Sequence, residues 1–342
     1  MTADDRPLVV VLGASGFIGS AVTRELAKRP VRLRAVARRP PRPPSAPVAD
    51  VESRSADLTV KDRLAEAVRD ADAVVHLVAA LSGGKSWRGA DDDPESERVN
   101  VGLVRDLVDV LADGSRAGSR AGGTAGPPAV LFAGTTAQAG TTERIRIDGT
   151  EPDLPETAYD RQKLRAEEVV KKATAEGAVR GISLRLPTVF GHGADSTAAD
   201  RGVVSAMARR ALEGRPLTMW NDGSVLRDLL YVDDVVRAFA AALDNAEPLA
   251  GRHWLLGTGA ARRLGDVFAL IAEVVSAHTG LPPVPVTVVE PPAGAARSTD
   301  FHSVEVDSSA FRRVTGWRPE VPLREALTRT VAALASSSVP TR

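Results

Sequence analysis

The sequence predicts an α/β protein with a doubly wound parallel sheet and a smaller carboxyl-terminal α/β domain. Short apolar runs at residues 9–12, 73–79 and 129–133 are typical of strands that are buried on both faces of a sheet. Amphipathic stretches of helical length lie between such runs. A glycine-rich turn directly follows the first run, and such turns mark the edge where parallel sheets bind nucleotides.

The composition is that of a globular chain. With 342 residues, 43% of them hydrophobic and 26% charged, it has room for one large domain or two smaller ones. The 44 basic and 44 acidic side chains cancel, so we expect no general attraction to nucleic acid or to an anionic membrane. The absence of cysteine excludes disulfides, thiolate metal sites and thiol nucleophiles. Residues 1–7 carry no signal segment, and no apolar run approaches the roughly 20 residues that span a bilayer, so we expect a soluble, cytoplasmic protein.

The first strand ends at a turn with the spacing Gly-x-x-Gly-x-x-Gly, formed by Gly13, Gly16 and Gly19. A Cβ in this turn would hold the backbone away from a pyrophosphate, and the predicted helix 17–29 points its unpaired N–H groups at that position. We therefore predict a dinucleotide site; the alternative is a purely structural turn. The predicted cofactor contacts in this turn are Gly13, Ser15, Gly16, Phe17, Ile18 and Gly19.

The end of the second predicted strand, at residues 31–37, favours NADP(H) as the dinucleotide. NAD-specific folds usually carry Asp or Glu there to bind the adenosine ribose, whereas this chain carries Arg38 and Arg39. A guanidinium can bind a 2′-phosphate through two hydrogen bonds. The alternative is a solvated basic turn. Asp57, followed by Leu58, comes after a third predicted strand, where the carboxylate would accept from the adenine amino group.

The strand at 73–79 ends in small side chains, which would let a cofactor cross the strand ends. The predicted cofactor contacts here are Leu77, Ala79 and Ala80. His76, inside the same apolar run, is interpreted as a core histidine with satisfied hydrogen bonds. The polar loop 81–95 follows at the edge where such sheets bind ligands, and Leu81 is a predicted substrate contact.

A helix is predicted at 96–113, with Asn100 beside its apolar face. Residues 112–128 are of low complexity and are predicted to form a flexible insertion. This insertion lies within one domain, because the strand pattern resumes at residue 129 and runs into Thr135.

Three residues carry the predicted chemistry. Tyr159 and Lys163 are four residues apart at the start of a predicted helix, so the phenol and the ammonium share one face. A free phenol has a pKa of about 10, and a nearby ammonium lowers that pKa, which makes tyrosine a workable general acid or base. Thr135, at the end of the neighbouring strand, offers a hydroxyl to the same carbonyl or alkoxide oxygen. Tyr-x-x-x-Lys alone recurs by chance, but together with Thr135 and the glycine turn it predicts a catalytic site.

At these residues the chain resembles the extended short-chain dehydrogenase/reductase family, in its nucleoside-diphosphate-sugar branch. The matching segments cover nearly the whole chain and are 13–19, 57–58, 73–80, 100–101, 135, 159–163, 184–191, 227–234 and 316–319. The resemblance implies a Rossmann domain that binds the cofactor, a smaller domain that closes over a nucleotide sugar, and a homodimer. It further implies that Tyr159 is the acid or base, that Lys163 binds the nicotinamide ribose and tunes Tyr159, and that Thr135 binds the reacting oxygen.

On the same resemblance, the NADP-binding domain comprises residues 1–186 and 227–257, and the nucleotide-sugar domain comprises 187–226 and 258–335. Arg227 falls where the family binds the diphosphate of the substrate; its alternative is an ordinary surface region. The further predicted contacts are Asn100 and Pro187 for the cofactor, and Thr136, Val203, Val204 and Arg297 for the substrate. An aspartate of the 231–234 motif is expected to cap the following helix, and residues 316–319 are interpreted as packing.

Departures from the family pattern reduce the number of reactions that the chain could catalyse. A related 4,6-dehydratase would carry Asp-Glu directly after Thr135, where this chain has Thr136 and Ala137. Epimerase-reductases of the cysteine–histidine type do not fit, because the chain has no cysteine. A redox 4-epimerase recycles its hydride on NAD and has no need of NADP. Arg38 and Arg39 favour NADP and therefore argue against such an epimerase. What remains is one-way ketone reduction.

The turn at 132–140 is also similar to that of nucleoside-diphosphate-4-keto-6-deoxyhexose 4-ketoreductases of secondary-metabolite biosynthesis, although Gln138 and Ala139 replace the Val-Tyr of other members. We therefore expect NADPH-dependent reduction of the C-4 ketone of such a sugar, linked to dTDP, with Tyr159 as the acid. No metal is predicted. Two alternatives remain: a redox-type nucleotide-sugar 4-epimerase, and a non-catalytic NADP-binding regulator.

Overall fold

The computed structural model of the protein describes residues 6–80, 93–116, 126–192, 200–220, 222–291, 296 and 298–337. Leu81 and Arg297, two predicted substrate contacts, lie outside these residues. Across the described ranges, no helix has both the length and the apolar character needed to span a bilayer.

The strands follow one another in the order β1 (Leu8–Leu12), β2 (Arg32–Ala37), β3 (Asp50–Ser55), β4 (Ala73–His76), β5 (Ala129–Thr135), β6 (Arg146–Ile147), β7 (Arg180–Leu186), β8 (Thr188–Phe190), β9 (Leu217–Met219), β10 (Leu226–Arg227), β11 (Leu229–Tyr231), β12 (His253–Leu255), β13 (Arg262–Arg263), β14 (Val286–Val288) and β15 (Glu305–Val306).

The helices are α1 (Phe17–Leu26), α2 (Lys61–Val68), α3 (Pro94–Glu97), α4 (Leu103–Arg116), α5 (Ala158–Ala175), α6 (Val203–Leu212), α7 (Val232–Asp244), α8 (Ala246–Leu249), α9 (Leu264–Thr279), α10 (Ser298–Phe301), α11 (Ser309–Thr315) and α12 (Leu323–Ser337). A π-helical turn, Arg98–Gly102, joins α3 to α4, and a 3-10 turn, Thr136–Ala139, follows β5.

Seven parallel strands form the main sheet, in the order β12, β7, β5, β4, β1, β2, β3. The chain enters at β1, builds outward through β2 and β3, and then returns to add β4, β5 and β7 on the other side of β1. The direction of building therefore reverses between β1 and β4, and ligands of doubly wound sheets bind at the carboxyl ends of the strands at such a point. The predicted fold class is confirmed.

The sheet is buried on both faces, which explains the unbroken apolar runs in the sequence. Val10 and Val11, neighbours on β1, are both fully buried. Val11 packs in the larger core with α1 and α7, whereas Val10 packs on the opposite face with α2 and α4. Helices therefore cover both faces of the sheet, as parallel strands require.

A smaller group of strands and helices is formed by residues that follow β7 in the chain. Here β9 pairs with β14, β10 pairs with β13, and α6, α9 and α12 pack together. Two ladders cross the boundaries predicted for the domains, because β8 pairs with β11 and β6 pairs with β15. The two predicted domains are thus joined by strand pairing as well as by chain connections, and the division itself stays a prediction.

Several predicted boundaries need correction. The first helix ends at Leu26 rather than at residue 29, and the fourth strand ends at His76 rather than at residue 79. The low-complexity segment does not begin at residue 112, because α4 continues to Arg116. Residues 117–125 of that segment lie outside the described residues.

The aspartate expected to cap α7 has a different role. The N-cap of α7 is Tyr231, and Asp234 lies inside the first turn. Its carboxylate accepts from the backbone N–H of Glu320 at 2.8 Å, and its carbonyl oxygen accepts from the indole of Trp317 at 3.0 Å. Trp317 is 5% exposed, so the 316–319 motif is packing, as predicted, and it fastens the carboxyl-terminal segment to α7.

Candidate active site

The turn between β1 and α1 has space only for glycine at two positions. Gly13 has φ +87°, and a Cβ there would lie 2.9 Å from the carbonyl group of Leu77. A Cβ on Gly19 would overlap the carbonyl oxygen of Gly13. Gly16 is the N-cap of α1 and supplies no side-chain cap. The first N–H groups of α1 therefore lie at the carboxyl edge of the sheet, and helix N-termini of this kind are favourable positions for an anion.

The other predicted contacts of this turn, Ser15, Phe17 and Ile18, are half-buried there. The turn packs directly against the residues after β4, since Leu77 donates its backbone N–H to the carbonyl oxygen of Leu12 at 2.9 Å. The structure thus brings the glycine turn together with Leu77, and the predicted contacts Ala79 and Ala80 follow Leu77 in the segment after β4.

The predicted 2′-phosphate site lies at the ends of two adjacent strands. Arg38 and Arg39 directly follow β2 and are exposed, and the Ser55 hydroxyl at the end of β3 donates to the Arg38 carbonyl oxygen at 2.8 Å. Asp57 accepts from the backbone N–H and the hydroxyl of Thr59, at 3.0 and 2.7 Å. These hydrogen bonds lower the pKa of Asp57, and the positive charge of Arg38 adds to the effect.

Leu58, the neighbour of Asp57 in the predicted pair, is 5% exposed and packs in the core beneath the sheet with α2 and α4. It therefore anchors this corner rather than offering an open apolar surface.

Asn100 holds the segment that follows β4. It lies in the π-helical turn, 1% exposed, and its side-chain oxygen accepts from the N–H of Ala80 at 2.8 Å while its amide nitrogen donates to the Ala80 carbonyl at 3.0 Å. The same nitrogen donates to Gln162 on α5 at 2.7 Å. Asn100 therefore binds the backbone of the segment that follows β4 and ties this segment to the helix that carries Tyr159 and Lys163.

Thr135 is the last residue of β5, at the carboxyl edge of the sheet. Its hydroxyl accepts from the N–H of Ala137 at 3.2 Å, which begins the 3-10 turn. Thr136, the next residue and a predicted substrate contact, is half-buried beside it. Thr135 pairs across the sheet with Leu186, so Pro187 follows at the same edge.

Tyr159 and Lys163 lie in the first two turns of α5, which packs against β5. Thr157 and Asp160 form a capping box, which fixes where the helix begins. The Lys163 ammonium, 3% exposed as a residue, donates to the Ala133 carbonyl oxygen at 2.9 Å and lies 5.7 Å from the centre of the Tyr159 ring. The three predicted catalytic residues are thus brought to one edge of the sheet.

The pKa values of this pair differ from the expectation. Burial lowers the pKa of the Lys163 ammonium to about 8. Burial, together with the negative charge of Asp160, raises the pKa of the Tyr159 phenol above its usual range. The sequence predicts that Lys163 lowers the Tyr159 pKa; in this structure burial and the charge of Asp160 raise that pKa instead, so the phenol keeps its proton at neutral pH.

Behind these residues lies a buried charge cluster that the sequence reasoning missed. Glu167, whose side chain is fully buried, accepts from Arg185 through Nε at 3.0 Å and Nη2 at 2.7 Å. Arg185 also forms a bidentate pair with Asp153, at 2.6 and 3.0 Å. Burial raises the pKa of Glu167, but hydrogen bonds from His253 and Arg185 outweigh it, and the net pKa is lowered. Glu167 follows Tyr159 and Lys163 at the same four-residue spacing, and this spacing was the sequence signal that could have indicated that Glu167 faces the same strand.

On the predicted substrate side, Arg227 contacts protein backbone. Its guanidinium donates to the carbonyl oxygens of Thr299 at 2.6 Å and Asp300 at 2.9 Å, and also to that of His302. Val203 is 38% exposed at the start of α6, whereas Val204 is fully buried in the core. The side chain of Val204 therefore packs inward and does not line an open surface.

The carboxylates and histidines of the described residues include no group of three or more placed to hold a metal ion.

The fold and this site define a Rossmann-type protein with a Thr, Tyr and Lys set at the carboxyl edge of its sheet. Residues 9–257 match the NAD dependent epimerase/dehydratase family, and the chain belongs to that family.

Three relatives illustrate its range. The chain is 28% identical to a dTDP-L-rhamnose 4-epimerase of Burkholderia thailandensis, over 94% of this chain and 93% of the relative. It is 29% identical to a dTDP-6-deoxy-L-talose 4-dehydrogenase (NAD(P)(+)) of Kitasatospora kifunensis, over 93% of each chain. Among solved structures, it is similar to MoeE5 in complex with UDP-glucose and NAD, with 26% identity and a TM-score of 0.75 over 97% of this chain and 99% of that chain.

Proposed function

We propose that the protein reduces the C-4 ketone of a dTDP-linked 4-keto-6-deoxyhexose with NADPH. The observation that supports this proposal is that Thr135, Tyr159 and Lys163 lie at the same carboxyl edge of the sheet as the glycine turn. The relative from Kitasatospora kifunensis supports it, because oxidation of a C-4 alcohol by a 4-dehydrogenase is the reverse of C-4 ketone reduction.

The residues of the turn fit a dinucleotide. The positions of Gly13 and Gly19 leave no room for a Cβ, and the first N–H groups of α1 would bind the pyrophosphate. Arg38 and Arg39 would bind a 2′-phosphate, and Asp57 would accept from the adenine. Asn100 would hold the 77–80 segment against the cofactor by its two bonds to Ala80.

The chain's own residues supply the proton and hold the oxygen. A bound NADPH supplies the hydride. Tyr159 donates its phenol proton to the carbonyl oxygen as that oxygen becomes an alcohol, and the Thr135 hydroxyl donates a hydrogen bond to the same oxygen. The Lys163 ammonium stabilises the phenolate that Tyr159 becomes. The carbonyl carbon gains the hydride and the carbonyl oxygen gains the proton, so the ketone becomes an alcohol.

Tyr159 is in the protonation state that an acid needs. Burial raises the pKa of its phenol, so the group carries its proton at neutral pH, as ketone reduction requires. Thr136 and Ala137, which follow Thr135, carry no acid or base for elimination of water. Net reduction therefore needs no group beyond those at the site.

A redox 4-epimerase is the second candidate. The relative from Burkholderia thailandensis is named as a 4-epimerase, and MoeE5 was solved with NAD and UDP-glucose. In such a reaction Tyr159 would act first as base and then as acid, and the nicotinamide would stay bound through the cycle. The two candidates differ in whether NADPH is consumed.

The test is turnover of the purified protein with NADPH and a panel of dTDP-4-keto-6-deoxyhexoses. We expect NADPH consumption and a C-4 alcohol, loss of both in Tyr159→Phe, and retained NADPH binding in that variant. Tyr231→Phe is the matched control, because Tyr231 is the only other tyrosine of the chain and packs in the core. NADPH binding without consumption would overturn the reductase proposal; interconversion of C-4 epimers on tightly bound NAD would establish the epimerase, and binding without either reaction the regulator.

A further inference from the structure

We propose that Gln138 is the residue that positions Thr135 relative to the acid/base helix α5. This inference rests on the proposed function, because the placement of the Thr135 hydroxyl matters only if that hydroxyl binds a reacting oxygen. Gln138 lies in the 3-10 turn that follows Thr135, and its side chain links that turn to α5.

The Gln138 amide bridges the end of β5 and the middle of α5. Gln138 is fully buried, and its side-chain oxygen accepts from the backbone N–H of Thr135 at 2.9 Å. Its side-chain nitrogen donates to the Glu167 carboxylate at 3.0 Å. Both ends of the amide are therefore used, one on the residue that carries the hydroxyl and one on the helix that carries Tyr159 and Lys163.

The charge cluster leaves this amide one orientation. Glu167 is held by Arg185, and Arg185 is held in turn by Asp153. Because a carboxylate only accepts, the donor end of Gln138 must face Glu167 and the acceptor end must face Thr135. A buried charge with these fixed partners does not reorient cheaply, so the position of Thr135 N is set by the cluster.

A second link confines the same strand end. Lys163 donates to the carbonyl oxygen of Ala133, two residues before Thr135. Lys163 and Glu167 are four residues apart on α5 and share a face, so both links run from one side of the helix to one end of the strand. Lys163 fixes the backbone at residue 133, and Gln138 fixes it at residue 135. Together the two bonds determine the position of the Thr135 hydroxyl along the strand and its rotation relative to Tyr159.

The first experiment compares Gln138→Met with Ser183→Ala. Methionine matches glutamine in length but removes both hydrogen bonds. Ser183 also donates to Glu167, at 2.6 Å, and is equally buried, but it makes no contact with Thr135 N, so its variant controls for damage to the cluster. We expect Gln138→Met to lower kcat for ketone reduction about tenfold, the size of one lost buried hydrogen bond, with unchanged NADPH binding. Ser183→Ala should keep kcat within about twofold. Equal kcat losses in the two variants, or no loss in Gln138→Met, would overturn the proposal.

Hydrogen exchange separates this inference from the proposed function. In the wild type the Thr135 N–H is bonded to Gln138, so Gln138→Met should speed exchange in the peptide that contains Thr135, and Ser183→Ala should not. Unchanged exchange in Gln138→Met overturns the positioning role whatever the activity. If exchange is faster in Gln138→Met but the wild-type protein reduces no 4-keto sugar, the link between Gln138 and Thr135 is supported and the reductase proposal is overturned.

A charged variant tests the contact between Gln138 and Glu167 directly. Gln138→Glu places a second carboxylate against Glu167 and should lower kcat further than Gln138→Met. A kcat for Gln138→Glu equal to or above that of Gln138→Met would contradict the direct link between residues 138 and 167.

Discussion

The Lys163 ammonium donates to the carbonyl oxygen of Ala133 across 2.9 Å, and this bond joins helix α5 to the strand that ends at Thr135. The ammonium also lies 4.8 Å from the centre of the Phe132 ring, and Lys163 is 3% exposed. Burial lowers its pKa to about 8, so Lys163 loses its charge as pH rises through about 8.

The first prediction concerns the pH dependence of ketone reduction. Tyr159 stays protonated through neutral pH, and the charge of Lys163 stabilises the phenolate formed as the proton leaves. As pH rises through about 8, Lys163 becomes neutral and kcat should fall, which a pH–rate profile at saturating substrate would measure. A profile that stays level up to about pH 10, the range of an ordinary lysine, would contradict this role.

The second prediction concerns cofactor choice. Arg38→Ala should raise the KM for NADPH by about tenfold and leave the KM for NADH nearly unchanged, because only NADPH carries the 2′-phosphate. Steady-state kinetics with both cofactors measure the difference. Arg324→Ala, on α12, is the control, since Arg324 pairs with Glu273 at the surface. Equal losses for the two cofactors in Arg38→Ala would remove the case for NADPH.

The third prediction concerns His76, a buried residue whose two ring nitrogens have no hydrogen-bond partner within the described residues. The sequence interpretation of a core histidine is right on burial, since His76 is 1% exposed and packs on Phe132. Within the part of the chain that the structure describes, neither ring nitrogen has the side-chain hydrogen bond that this interpretation assumed. His76→Leu should raise the free energy of unfolding at neutral pH by about 1 kcal/mol, because it removes an unpaired buried polar group. His278→Leu, at an exposed position, is the control, and denaturant unfolding measures both.

The same residue predicts a pH dependence of stability. Burial lowers the His76 pKa from 6.5 to about 3, so between these values the unfolded chain binds a proton that the folded chain lacks. The free energy of unfolding should therefore fall as pH drops from 6.5 toward 3, and His76→Leu should fall less steeply over that window. Parallel pH curves for wild type and His76→Leu would show that His76 titrates normally in the fold.

The fourth prediction concerns Gly134. A Cβ there would lie 2.8 Å from the Gln138 side-chain oxygen and 3.1 Å from the Ser183 hydroxyl. Gly134→Ala should lower the free energy of unfolding by about 2 kcal/mol, and by less in a Gln138→Val background, where that oxygen is gone. Gly114→Ala, whose Cβ would meet nothing within 4 Å, is the control. Additive effects of the two changes in a double-mutant cycle would contradict this contact.

The sequence was sufficient for the fold because each local pattern agreed with the others. The unbroken apolar run of β1 required burial on both faces, and the glycine turn at its end specified the ligand edge. Strand ends and helix spacing locate side chains without knowledge of packing, so the sequence could predict that Thr135, Tyr159 and Lys163 lie at one edge of the sheet. Their catalytic role stays a prediction.

The features that could not be predicted from the sequence depend on contacts between residues that are far apart in the chain. The link from Gln138 to Glu167 spans 29 positions, and the bonds of Arg227 reach residues 72 and 73 positions away. The raised pKa of Tyr159 is likewise set by desolvation, which requires knowing what surrounds the ring. Spacing along one helix cannot report such surroundings.

The π-helical turn Arg98–Gly102 gives this helix a local tolerance to a change in length. A π turn holds one residue more than an α turn, so loss of one residue can restore an α turn while the side chains after it keep their direction. The same loss inside α4 would rotate every following side chain by about 100°. A single-codon deletion inside α4 should therefore be more damaging than a deletion in the π turn that spares Asn100 and its bonds to Ala80.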